Sequence, residues 1–170
     1  VVIAAVEAVL EDQFCMHGLL ATTYFSGPMV VVNGSISRAI GMNSGGNALG
    51  QALAQAVGDK TGICRYGSCH LAMDDVQVRT ALDLSGRPFL ICNLDFQKQK
   101  IRSFDTELVQ EFFQAMSTHG GITLHIDKLY GFNSHHIAEA AFKSVARALR
   151  VAVDMDPRMI GTLPSTKGAL

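Results

Sequence analysis

Two parts of this chain carry the same order of signals, and that repetition constrains the fold more than any single motif. The first part runs from a helical pattern through His17-Gly18, a short apolar run and Asn43-Ser44 to a long alanine-rich segment. The second repeats it as a helical pattern, His119-Gly120, an alternating run, Asn133-Ser134 and another alanine-rich segment. A layout stated twice points to a duplicated unit with a pseudo-twofold axis, helices covering one face of a sheet. The expected fold is therefore α+β, two similar β-α half-units. The matched pairs lie farther apart in the first copy, which places an insertion near residues 25–42. With 170 residues, 48% of them hydrophobic and 17% charged, the chain suits one domain with a buried core.

Local periodicity fills in the elements. Val2, Val6, Val9 and Leu10 follow helical spacing and predict a helix over 2–14, and "PMVVVNG" reads as a short buried strand. "SISRAIGMNSGGNALG" is rich in glycine and small residues, and "VVVNGSISRAIG", a strand followed by small residues, reads as a flexible connection rather than a phosphate loop, because it has neither GxGxxG nor a P-loop lysine. "ALGQALAQAVG" is helical up to Gly58. Val76, Val78, Thr80, Leu82 and Leu84 alternate with a period of two, and "SGRP" turns the chain into "FLICNLDF", so these two strands are expected to pair as a hairpin. "FDTELVQEFFQAMSTHG" predicts a helix capped by Asp105 or Thr106, with Leu108, Phe112, Phe113 and Met116 on its buried face. "ITLHIDKLYG" alternates as a strand, and the helix after Asn133 stops before Pro157.

Charge and cysteine usage exclude some functions. With 14 basic and 15 acidic residues the formal net charge is -1, so the chain has no overall field to draw it to nucleic acid or an anionic membrane. Its apolar runs fall short of the ~18 residues a membrane-spanning helix requires. The opening segment is broken by Glu7, Glu11 and Asp12 and lacks the basic leader of a signal peptide. Cys15, Cys64, Cys69 and Cys92 show no disulfide-scaffold spacing, which fits reduced thiols in a cytoplasm. In "CRYGSCH", Cys64, Cys69 and His70 could hold zinc, but a structural site wants a second pair of ligands, and buried or strand-borne cysteines are the simpler reading.

The polar opening of the last long helix is harder to explain by packing. On a helix, His135 or His136 lies beside Glu139, while the adjacent histidine points about 100° away. One turn thus presents two imidazoles in different directions plus a carboxylate, which suits two divalent transition metal ions better than one. The alternative is a capped helix start with solvated rings and a surface glutamate. His125 on the preceding strand adds weight to the metal reading; His119 adds little, since a histidine at a helix C-terminus is favoured electrostatically anyway. Arg65, Arg87 and the tail "PSTKG", with Ser165, Thr166 and Lys167, are candidate phosphate ligands, though a turn arginine or a polar tail is more commonly plain surface.

Taken in order, "LGQALAQAVGDKTGICRYG", "MDDVQVRTALDLSGRPF", "FDTELVQEFFQAM", "ITLHI", "NSHHIAEAAFKSVARALR" and "DPRMIGTLPSTKGAL" resemble the imidazoleglycerol-phosphate dehydratases, hydro-lyases of histidine biosynthesis. The resemblance covers roughly the last 120 residues, 49–170, and leaves 1–48 as an atypical first half-unit of the same single domain. It implies the ribosomal S5 domain 2-like fold, two manganese ions per site, a small phosphate-ester substrate, and homo-oligomers in which trimers build a larger symmetric particle with active sites between subunits. It implies His125, His135, His136 and Glu139 as metal ligands, with Glu139 and His136 also moving protons. Arg65, Arg87, Ser165 and Lys167 would hold the substrate phosphate, and the substrate's imidazole would lie between the two ions. The first half-unit departs from the pattern: Gly45, Gly46 and Leu49 stand where the repeat would put His135, His136 and Glu139, and none can ligate a metal. Two readings follow, a dehydratase short of one ligand set and a non-catalytic scaffold or metal-binding relative that keeps the family's assembly surface.

Overall fold

The computed structural model describes residues 38–165; the expected first helix, the "PMVVVNG" strand, Cys15, His17 and Lys167 lie outside the described residues. Within them, helix α1 (Arg38–Val57) leads to strands β1 (Tyr66–Met73), β2 (Val76–Asp83) and β3 (Phe89–Asn93). A small ribbon, β4 (Lys100–Ile101) and β5 (Phe104–Asp105), precedes helix α2 (Glu107–Gly120), strand β6 (Thr123–Tyr130) and helix α3 (Ser134–Val153). The main sheet has the order β1-β2-β6-β3. β2 pairs antiparallel with β1 on one side and β6 on the other, and β3 runs parallel to β6.

The alternation read from the sequence is the burial pattern of β2: Val76, Val78, Thr80 and Leu82 are all buried toward the helices. The same side of β6 carries Leu124 and Ile126, both fully buried. Helix α3 lies across β1 and β2, and α2 lies toward β3 with α1 stacked against it. Leu108, Phe112, Phe113 and Met116 of α2 are buried as expected. The rings of Phe112 and Phe113 meet Phe142 of α3 at centroid distances of 5.1 and 4.8 Å, the edge-on and tilted geometries that aromatic clusters favour. Thr106 occupies the cap position of α2, but its hydroxyl donates to the carbonyls of Lys98 and Gln99 and so fastens the β4–β5 ribbon instead.

Two expectations are corrected. β2 and β3 do not form a hairpin, because β6 inserts between them. The "SGRP" segment is an arch that skips one strand position, and β3 returns to β6 through the ribbon and α2 as a parallel crossover. A turn motif reports where the chain reverses, not which strand fills the space beside it. The hairpin that does form joins β1 to β2 through Asp74 and Asp75.

The second correction concerns Asn43-Ser44, which falls inside α1 and starts nothing, whereas Asn133 caps α3 by accepting the His135 amide. The glycines after Asn43 are there for packing. A Cβ on Gly46 would strike the Phe112 carbonyl oxygen and come within 2.8 Å of Ala115 Cβ, and one on Gly50 would lie 2.7 Å from the Met116 carbonyl oxygen. Helices α1 and α2 are therefore in backbone contact along this stripe.

Candidate functional site

Helix α3 is aimed by what precedes it. Gly131, at φ 110°, lets the chain press against Val76 where a Cβ would collide with the Asp75 carbonyl, and Asn133 then starts the helix. The Asp75 carboxylate completes the junction. Its Oδ2 accepts the backbone N–H groups of Phe132 and Asn133, each at 3.1 Å, and its Oδ1 lies 2.6 Å from His136 Nδ1. These bonds, His136 first, hold the Asp75 carboxyl down to about 2. His136 Nε2 faces Asn133 Nδ2 at 3.4 Å and Asp74 Oδ2 at 3.6 Å.

The neighbouring imidazole looks elsewhere. The two rings are tilted 61° with centroids 5.9 Å apart, so they diverge as helical spacing requires. His135 Nε2 lies 3.4 Å from Glu139 Oε2, and Lys143 Nζ is 2.8 Å from Glu139 Oε1. Glu139 is only 6% exposed, and each of its two carboxylate oxygens is met by one of these neighbours. Next to His135 a cleft of about 280 Å³ is lined by Lys98, Lys100, Arg102, Phe132 and Ser134, a basic surround that favours an anionic occupant.

A second group gathers at the far end of the β1–β2 ladder. Arg65 is 8% exposed; its Nε and Nη2 meet the two oxygens of Asp83 at 2.6 and 3.0 Å, and its Nη1 donates to the Pro164 carbonyl at 2.6 Å. The Asp83 hydrogen bonds push the guanidinium pKa further up. Arg87 Nη2 lies 4.0 Å from Asp83 with its side chain 70% exposed, and Ser165 follows Pro164 in the chain. Arg65, Arg87 and Ser165 are thus brought together, with Asp83 among them. Asp75 and Asp83 lie within "MDDVQVRTALDLSGRPF" but have no spacing that singles them out; the strand pairing shows what they meet.

His125 stands apart from the other histidines. It is paired with Ala81 of β2, two positions from Asp83, on the sheet face turned away from the helices, and its ring is 6.4 Å from that of Phe89. Tyr66 pairs with Asp83 and Met73 with Val76, so the arginine end and the imidazole end are separated by a run of strand roughly 23 Å long. Among the described residues no group of three His, Cys, Asp or Glu side chains encloses an ion. The donor chemistry nevertheless fits half of a metal site: an imidazole and a buried carboxylate on one side of the helix start, and an imidazole backed by a carboxylate on the other. The cysteines offer no rival. Cys64, Cys69 and Cys92 are free, Cys69 is strand-borne as expected, and burial pushes the Cys92 thiol up to about 11. Among the described residues no helix is long and apolar enough to cross a membrane.

Known proteins resemble this chain in sequence and fold. The family model of imidazoleglycerol-phosphate dehydratase matches residues 31–149, so the match begins inside the segment that the sequence alone set apart. The imidazoleglycerol-phosphate dehydratase of Paracoccus denitrificans is 73% identical over 114 residues, 67% of this chain and 58% of its own length. That of Ruegeria sp. (strain TM1040) is 74% identical over the same shares. The chain thus spans less than two thirds of the length of these relatives. The crystal structure of imidazoleglycerol-phosphate dehydratase from Staphylococcus aureus superposes with a TM-score of 0.70 at 38% identity, covering 73% of this chain and 72% of that one. In sequence and in fold, this chain belongs to the imidazoleglycerol-phosphate dehydratase family.

Proposed function

We propose that the protein acts as a manganese-dependent hydro-lyase, removing water from imidazoleglycerol phosphate to give imidazole-acetol phosphate, in an oligomer whose sites are shared between chains. The observation that carries this reading is the separation of the two polar groups. The substrate, an imidazole joined to a phosphate through a three-carbon chain, spans about 10 Å at full extension. It cannot bridge an arginine cluster and a histidine cluster at opposite ends of one β1–β2 ladder. A complete site therefore needs the arginine end of one copy beside the imidazole end of another.

In that site His135 with Glu139, and His136 on the opposite side of the helix start, would hold the ions, with His125 supplied from the arginine end. Bound manganese would supply Lewis-acid stabilisation of negative charge on the substrate's ring, which makes loss of the neighbouring hydroxyl feasible. Arg87 and the Pro164–Ser165 segment would fix the phosphate, while Lys167 lies beyond the described residues. Arg65 serves less by direct contact than by clamping Asp83 and the tail in place. Glu139, flanked by Lys143 and His135, is the group best held to take or return a proton at the substrate carbon.

A second reading is supported by α1, whose glycine stripe is given over to packing against α2 and offers no side chain to an ion. On that reading the chain is a scaffold that binds metal without turnover. One assay separates the two. Purified protein with manganese and imidazoleglycerol phosphate is expected to release the ketone product; bound manganese with no product over hours would leave the scaffold reading standing.

A further inference from the structure

We propose that Asp75 is a positioning residue for His136, holding the imidazole as its Nδ1–H tautomer so that the Nε2 lone pair stays available to an ion. This rests on the metal reading of α3 above. The geometry divides the carboxylate between two tasks. Oδ2 takes the Phe132 and Asn133 backbone N–H groups and fixes the loop, and Oδ1, at 2.6 Å, is left for His136 Nδ1. A carboxylate oxygen only accepts, so Nδ1 must carry the proton. Around the other ring nitrogen the Asn133 amide nitrogen, a donor, sits 3.4 Å from Nε2, and the Asp74 carboxylate, an acceptor, lies at 3.6 Å, so the 2.6 Å contact at Nδ1 is the one that decides the tautomer.

The residue comes from a different element than the histidine it orients. Asp75 is in the β1–β2 turn, 61 positions earlier in the chain, so the direction of the ring is set by the sheet and not by α3 alone. A metal-bound histidine typically relies on such an outer hydrogen bond, and loss of the partner commonly weakens metal affinity by about 10- to 100-fold.

Asp75→Asn is the discriminating change. The amide oxygen can still accept the two loop N–H groups, but the NH2 group then faces Nδ1, where only an unprotonated nitrogen is tolerated, so the ring proton moves to Nε2. Two measurements test this. Nitrogen-15 NMR of histidine-labelled protein, with His136 assigned from the spectrum of His136→Gln, should show the Nδ1–H tautomer in wild-type apoprotein at a pH where imidazole is neutral, and the Nε2–H tautomer in Asp75→Asn. Manganese titration followed by electron paramagnetic resonance should show affinity in Asp75→Asn reduced by about 10- to 100-fold. An Nε2–H tautomer in the wild type, or unchanged affinity in a folded Asp75→Asn protein, would overturn the proposal. If the variant fails to fold, the wild-type tautomer decides alone. Wild-type protein that takes up no manganese while His136 is still the Nδ1–H tautomer would instead point to failure of the metal reading itself.

Discussion

Arg65 shows how one side chain can be legible as chemistry while the group it meets in the fold stays hidden. A guanidinium in a turn signals an anion, and the anion in reach is Asp83, bound by two nitrogens while a third holds the Pro164 carbonyl. Arg65 also adopts φ 68°, a left-handed backbone that a non-glycine residue rarely takes, so the position is held by its contacts. Arg65→Met should cost about 3 kcal/mol in chemical denaturation, since it strands a carboxylate whose side chain is only 17% exposed. Adding Asp83→Leu should recover most of that loss, because two apolar groups then face each other. A single variant as stable as wild type would show that Asp83 finds water once Arg65 is gone.

Among the elements, α1 carries the sharpest expectation. Alanine normally improves a helix interior over glycine by ~1 kcal/mol. At Gly46 the added methyl would meet the Phe112 carbonyl oxygen and Ala115, so overpacking should win. Gly46→Ala is expected to destabilise by about 1–3 kcal/mol, read as a lower urea midpoint at an unchanged slope. The same helix marks the limit of sequence reading. The periods that define β2, α2, β6 and α3 are all observed, because each of those elements buries one face and its alternation records which. Register along α1 left no such trace, since its contact face is written in small residues that look like loop. Strand order was invisible for another reason: β6 buries Leu124 and Ile126 while β3 packs the half-buried Leu90 and Cys92 against the same core, and that pattern is satisfied whichever strand they adjoin. For the site, α3 could be read directly from His135, His136 and Glu139, whereas what Asp75 and Asp83 meet becomes visible only once β1 and β2 are paired.

On the scale of the whole molecule, the roughly 23 Å between the two polar ends sets up a complementation test of the proposed shared site. On the proposed roles, Arg87→Ala should disable the phosphate end of each chain, and His135→Ala the metal end. If sites are shared, either variant alone should lose at least about 100-fold in turnover, and coexpression of the two should restore about a quarter of the sites, those that pair two intact ends. Activity of the mixture no greater than the sum of its parts would mean that each site is built within one chain, and the separation would then have to be closed by residues outside 38–165.

The backbone contact between α1 and α2 also bears on how any genetic survey of this chain would read. Substitutions at Gly46 or Gly50 larger than alanine would deplete folded protein and so lower any activity being scored, although neither glycine offers a side chain to a substrate. A screen scored by survival alone would therefore draw a false catalytic map along that seam. Soluble yield, recorded clone by clone, is what would tell the broken hinge pins from the missing reagents.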